Sequence, residues 1–238
     1  MDTTGYVALS RQMVLQRHMT TIANNIANAG TTGYRAEHTL FEQALARPGE
    51  PEPAAFVQDV GLYRDTRPGA VTQTGNQFDL AINGAGYLSF QTPAGERYGR
   101  AGHLQPDATG RLTDAAGNPV LDDGGQPVVL PDGEQQITIA ADGTISAGAG
   151  QFARLQLVTF NDGDLVREGG GLYRSQAVPR PGNGGLVQGA LEESNVAPVL
   201  EMTSMLATVR AFQGVQKLID AQHELDRRAI ERMISVTG

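Results

Sequence analysis

The sequence predicts a mixed α+β chain: a discontinuous α-helical coiled-coil domain built from both termini, with an antiparallel β-rich domain inserted between its two parts. Three observations carry this. Both ends show apolar residues at alternating three- and four-residue spacing, the signature of an amphipathic helix. The middle alternates short β-rich runs with Gly, Asp and Asn turns. Two stretches rich in Pro and Gly separate the middle from the ends.

In chain order, residues 1–40 hold the first helix. Residues 2–29 contain no Pro and a single Gly, Gly5. Ala8, Gln12, Leu15, Met19, Ile22, Ile26 and Ala29 lie four and three apart in strict alternation, and Gly30 and Gly33 supply the stop signal. Gly33 can take φ > 0 and so turn the chain, carrying Tyr34 off the helix axis. Residues 41–74 are expected to be an extended linker, because Arg47-Pro-Gly-Glu-Pro-Glu-Pro53 cannot continue a helix. Residues 75–180 form the β-rich domain, with strands expected at 78–82, 86–91, 126–130, 136–140, 154–160 and 171–174. Turns are expected at Asn83-Gly84, Asp107–Gly110, Ala116–Asn118, Asp122–Gly124, Asp142-Gly143 and Asn161–Gly163, where Asn-Gly and Asp-Gly pairs supply positive φ. Residues 181–197 read as the return linker, and 198–238 as one long helix with Pro198 in its first turn and Asn195 or Ser194 as cap. Its stripe runs Met202, Met205, Val209, Phe212, Gln216, Ile219, His223, Asp226, Ile230, Met233. At about 1.5 Å per residue it spans about 57 Å. The polar interruptions Gln216, His223 and Asp226 suit a coiled-coil seam that selects its partner, and the alternative is a surface helix whose stripe frays. A helix with one apolar stripe must bury it, and the other terminus is the nearest candidate.

Composition narrows the function classes. The chain has 238 residues, a net charge of −8 and no Cys, so neither a disulfide framework nor a Cys-based zinc site is available. An acidic chain without a basic block is not expected to bind nucleic acid. No apolar run approaches the roughly 18 residues of a membrane helix, and no cleaved secretory signal is expected. His18, His38, His103 and His223 lie far apart, with no two at zinc-motif spacing. Asn161-Asp-Gly-Asp164 resembles the opening of a calcium loop but carries Val166 and Leu172 where Gly and Glu are needed. A glycosidase would need paired carboxylates across a cleft, and the candidates Asp107, Asp114 and Asp162 sit in turns. No catalytic residue, cofactor, metal or small-molecule substrate is expected.

The run Ile22-Ala-Asn-Asn-Ile-Ala-Asn28, followed by Thr31-Thr-Gly-Tyr34, carries a resemblance. So do Asp79–Leu88, Tyr98-Gly-Arg-Ala-Gly102, Ile137–Ser146 and, most specifically, Gly189-Ala-Leu-Glu-Glu-Ser-Asn-Val-Ala-Pro-Val199 with Glu201-Met-Thr-Ser-Met205. Together they resemble the flagellar rod and hook family of axial proteins, and most of all its proximal-rod members, with the distal rod as the neighbouring alternative. Gly30 and Glu193 depart from the pattern: a polar residue is usual at the first, Gly at the second. The resemblance implies a structural subunit of the basal-body rod, exported unfolded through the flagellar type III apparatus. Its partners would be copies of itself and other rod proteins in a helical lattice. Subunit contacts are expected at Leu15, Met19, Ile22 and Ile26, and at Met202, Met205, Val209, Phe212 and Ile219, with packing inside the chain as the alternative use of these stripes. Asn24, Asn25 and Asn28 join them, since amides near a helix end can bond its unpaired carbonyls or a neighbouring subunit.

Overall fold

The computed structural model describes residues 3–45, 55–131, 136–148 and 150–236. Its elements in order are α1 (Thr3–Ala27), β1 (Glu37–Leu45), β2 (Ala55–Arg64), β3 (Val71–Gln73), β4 (Leu80–Asn83), β5 (Leu88–Thr92), β6 (Gly95–Gly99), β7 (Gln105–Pro106), β8 (Leu112–Thr113), β9 (Ile137–Ile139), β10 (Thr144–Ala147), β11 (Gly150–Arg154), β12 (Val158–Thr159), β13 (Leu165–Gly169), β14 (Leu172–Ser175), β15 (Arg180–Pro181), β16 (Gly185–Gln188), β17 (Ala190–Glu192) and α2 (Pro198–Val236). The chain is mixed α+β, with one helix at each end of a long run of antiparallel strands. It divides into two units. The first comprises Met1–Ala27, Glu37–Asp65 and Ala197–Gly238, and the second Asn28–Ala36 and Thr66–Val196.

In the first unit α1 and α2 pack as an antiparallel pair. Gln12 Nε2 donates to Gln216 Oε1 at 2.8 Å, and near the other end of α1 Asn25 Nδ2 donates to Glu201 Oε1 at 3.2 Å, which fixes direction and register. α2 begins at Pro198, the position the sequence marks for it. β1 and β2 form an antiparallel hairpin that packs on α1, with a register shift between Leu40 and Phe41. The expected extended linker at 41–74 is therefore corrected for its described part. The runs flanking the Pro-rich stretch carry aromatic and apolar residues and pair with each other, and β3 pairs with β17. Arg47–Pro53 itself lies outside the described residues.

The second unit is built from small antiparallel sheets around one main core, with a smaller cluster at Tyr98, Val158, Leu165 and Tyr173 and another at Tyr34, Ala36 and Val196. A four-stranded sheet runs β13-β14-β6-β5 and a three-stranded one β11-β10-β9, while β16 pairs β4, β17 pairs β3, β12 pairs β15 and β7 pairs β8. Leu80, Ile82, Leu88, Phe90, Leu112, Val120 and Ile145, each at most 1% exposed, fill the centre. Burial of such side chains supplies about 1.5–3 kcal/mol each. Residues 181–197 are not a linker. Leu186 enters the core as β16 pairs with β4, and β17 buries Ala190 and Glu192. The strand expected at 154–160 is broken into the end of β11 and the short β12, and 126–130 contributes only isolated bridges. Asn83-Gly84 does not close a β4–β5 hairpin, since β4 pairs with β16, and 161–164 is a single 3-10 turn.

Three successive loops share one chemistry. Asp107, Asp114 and Asp122 each accept, through Oδ1, backbone N–H groups two and four residues ahead: Thr109 and Arg111, Ala116 and Asn118, Gly124 and Gln126. In each loop the Gly three residues after the Asp has positive φ (Gly110, Gly117, Gly125). An Asp side chain that bonds the backbone ahead, followed by a residue free to take φ > 0, closes a tight turn without any tertiary partner.

Candidate subunit-interaction surface

The helix pair has an inward and an outward side. On α1, Ala8, Val14 and Ile22 are buried, and Leu15, Met19 and Ile26 are half-buried. On α2, Thr208 and Val215 are buried, while Met205, Val209, Phe212 and Ile219 are half-buried. Of the residues expected to meet neighbours, Met202 is 53% exposed, and the others in the apolar stripes sit within or beside the helix pair. A second set of large apolar side chains is left outside. Tyr6, Leu9 and Met13 on α1, and Val199, Leu200, Met202, Leu206, Leu218 and Leu225 on α2, are each at least half exposed. With Gln12 opposite Gln216, Leu218 lies level with Leu9 at the end of the pair remote from Pro198.

The three asparagines do different things. Asn24 is exposed, and Asn28 Oδ1 accepts from Thr31 Oγ1 at 3.3 Å. Asn25 is 1% exposed and acts as a substitute strand partner for β1. Its Oδ1 accepts from Glu37 N at 3.0 Å, and its Nδ2 donates to Glu37 O at 2.8 Å and to Glu201. One amide thus joins α1, β1 and the first turn of α2. His18 Nδ1 lies 2.7 Å from Thr39 Oγ1. Burial holds its pKa below the ordinary value, with the Glu201 charge opposing and His38 adding to the shift.

The second unit contains a buried charged cluster. Glu192, Arg35 and Arg100 are 2%, 3% and 3% exposed. Glu192 Oε1 meets Arg35 Nη2 at 2.7 Å and accepts from Gly69 N at 3.1 Å. Its Oε2 accepts from Arg100 Nε at 3.0 Å and Nη2 at 2.6 Å. Arg100 also donates to Ile82 O, Gly84 O and Gly86 O. Burial, and then the neighbouring Arg100 charge, lower the pKa of Arg35. The sequence pattern assigns these residues no role, although Arg100 and Glu192 stand inside the motifs Tyr98–Gly102 and Gly189–Val199 and Arg35 directly follows Thr31–Tyr34. Nothing in an isolated Arg or Glu marks it as buried.

Among the described residues no three His, Asp or Glu side chains gather as a metal site. Asp107 and Asp114 cap their own loops, and hydrogen bonds from Thr109 and Arg111 hold the Asp107 carboxyl well below the usual range. Asp79, 3% exposed, meets His103 Nδ1 at 2.7 Å, but its oxygens also accept from Thr74 and Asn76, so it orders its own turn. A cleft of about 180 Å³ is lined by Asp123, Asp142, Arg154 and Leu157 among others, with Asp142 Oδ1 bonded to Thr144 N.

Three family models match the chain. "Flagella basal body rod protein" covers residues 6–35, "Flagellar hook protein FlgE/F/G D1 domain" residues 81–147, and "Flagellar basal body rod FlgEFG protein C-terminal" residues 187–232. The chain is 40% identical to the flagellar basal-body rod protein FlgF of Caulobacter vibrioides, over 98% of each chain. It is 38% identical to FlgF of Rhizobium meliloti, again over 98% of each, and 36% identical to FlgF of Mesorhizobium japonicum over 90% of each. The chain belongs to the FlgF family of flagellar basal-body rod proteins, structural subunits of the rod.

Proposed function

We propose that the chain is a subunit of the proximal rod that polymerises through its two terminal helices, in a helical lattice of its own copies and other rod proteins. The polymer forms part of the drive shaft that carries torque from motor to hook. One observation carries this reading: after α1 and α2 have buried one stripe against each other, a second row of large apolar side chains remains exposed on both helices. Exposed apolar surface on this scale marks an interaction site. Further burial of Leu9, Met13, Met202, Leu206, Leu218 and Leu225 is worth roughly 5–10 kcal/mol before association costs. A head-to-tail contact that does not close produces a tube or filament. Coiled-coil packing of Leu15, Met19, Ile26, Met205, Val209, Phe212 and Ile219 then belongs to the helix pair and its neighbours jointly, with Asn24 and Asn28 at its rim. Export proceeds through the flagellar type III apparatus. The role is mechanical and uses no catalytic residue, cofactor, small-molecule substrate or nucleic acid.

The test is electron microscopy of basal bodies from a strain lacking the gene, complemented with the wild type or with Leu206→Asp. A membrane ring without a rod, restored by the wild type and not by the variant, is expected. A rod that forms but stops short would move the subunit to the distal rod. Complete basal bodies in the deletion strain would overturn the reading.

A further inference from the structure

The chain passes between its two units four times, at 27/28, 36/37, 65/66 and 196/197. On the side of the second unit, all four passages are tied to one small set of buried and half-buried polar groups. Glu192 O accepts from Gly33 N at 2.7 Å, which fastens the segment following α1. Arg35 Nη1 donates to Thr66 O at 2.9 Å and Asn195 Nδ2 donates to Arg67 O at 2.9 Å, so the segment returning from β2 is held twice. Asn195 Oδ1 accepts from Ala36 N at 2.7 Å, and Asn195 N donates to Tyr34 O at 3.3 Å, which ties the segment entering β1 to the segment entering α2. The carboxylate of Glu192 joins all of this to Arg100, whose guanidinium is seated on the carbonyls of Ile82, Gly84 and Gly86 beside the core strand β4.

The cluster is a poor device for stability alone. Two guanidiniums share one carboxylate, all three groups are buried, and Arg35 Nε has no hydrogen-bond partner. Burying such a set costs more than filling the same space with apolar side chains, and replacements of that kind are often neutral or stabilising. What apolar side chains do not supply is direction: bonds that hold particular backbone atoms at fixed distances. We propose that Glu192, Arg35 and Arg100, with Asn195, form a mechanical anchor that fastens all four passages of the chain to the β framework, so that force arriving along either helix enters the second unit at one point. The force-carrying part rests on the rod reading given above, and the anchoring part does not.

The test uses the purified full-length chain and two variants, Glu192→Gln and the triple replacement Arg35→Met, Glu192→Leu, Arg100→Met carried on an Asn195→Ala background, which removes the side-chain ties of Asn195 as well. Hydrogen exchange is followed segment by segment. In the triple variant, exchange in 33–36, 66–69 and 193–196 is expected to rise about 100-fold, while Leu80–Ile82 and Leu112 stay within about threefold of wild type, the pattern of local rather than global opening. Unchanged exchange in those segments, or a rise shared equally by the core strands, would overturn the anchor. If Glu192→Gln does not fold because an arginine is left unpaired, the triple variant decides. In cells, the triple variant is expected to build complete rods and swim in dilute medium, yet lose swimming speed severalfold in viscous medium. Normal swimming under load with loosened segments would overturn the mechanical use of the anchor. Complete rods in the deletion strain would instead strike at the rod reading and leave the exchange result standing.

Discussion

Gly33 has no room for a side chain. Its φ is +67°, and a Cβ there would lie 2.6 Å from the backbone C and O of Arg100. Both clashing atoms belong to main chain, so no side chain can swing away. Gly75 has a similar φ, +73°, with nothing within 4 Å of its would-be Cβ. The pair separates conformational strain from steric exclusion. Gly75→Ala should cost about 1 kcal/mol for the left-handed backbone alone, and Gly33→Ala about 3 kcal/mol or more. Urea denaturation of the two variants checks this, and equal midpoints would refute it. His18 carries a second prediction at this scale. Its folded pKa lies below the ordinary 6.5, chiefly through burial. The unfolded chain therefore takes up the proton first as pH falls. The stability associated with neutral His18 is fully present above the unfolded value and is lost as pH falls from there through the folded value. His18→Gln should flatten that acid limb, measured as the difference in denaturation midpoint between neutral and mildly acidic buffer. An unchanged limb would mean other groups dominate it.

At the scale of elements, Asp114 shows why some of the chain was readable. It is 8% exposed, and its carboxylate holds Ala116 N at 2.9 Å, Asn118 N at 2.8 Å and Asn118 Nδ2 at 2.8 Å. Asp114→Ala strands these donors and should cost about 1–3 kcal/mol, with the loss seen in thermal unfolding. Asp107→Ala, in an exposed copy of the same loop, should cost less. Such loops are written locally, in an Asp and a Gly three residues apart, and so are the start of α2 at Pro198 and the turn at Gly33. Strand partners are not. β4 finds β16 about a hundred residues later, and β3 finds β17, because two- to four-residue strands gain little from neighbours in sequence and are placed by the core. This is also why 41–74 and 181–197 read as linkers: their Pro and Gly residues are visible, and the partners of the strands between them are not. The α2 stripe shows a subtler error. The sequence pattern includes Met202 and Gln216, whereas among the described side chains of α2 the buried positions are Thr208 and Val215, a rotation of the face by about one residue. The Thr208 hydroxyl donates to Ser204 O at 2.8 Å, which satisfies it within the helix and lets Thr208 face inward.

At the scale of the whole molecule, the second unit is not the contiguous insert that the order of elements implies. It takes in Asn28–Ala36 from beyond α1, and Tyr34 of that segment is 1% exposed among Ala36, Val196 and Ala29. Arg167 donates to the Tyr34 hydroxyl at 2.8 Å, and Arg35 supplies half of the charge around Glu192. A fragment covering 66–196 keeps every strand of the unit and loses this plug. Breaking a buried pair from one side costs about 3–5 kcal/mol, and exposing the site of a buried aromatic adds about 2 kcal/mol. For a domain of this size the sum corresponds to a fall in Tm of roughly 15–25 °C. The comparison is fragment 28–196 against fragment 66–196, with a synthetic peptide of 28–36 added to the second. The shorter fragment should melt far lower, and the peptide should restore part of the loss in a concentration-dependent way, since a ligand that binds only the folded state stabilises it by mass action. If 66–196 melts within a few degrees of 28–196, the segment after α1 is an ornament on a self-sufficient β domain. If the peptide rescues, the unit closes only when chain from both sides of the β1–β2 hairpin reaches it, and the two terminal motifs of the family meet there as parts of one fold.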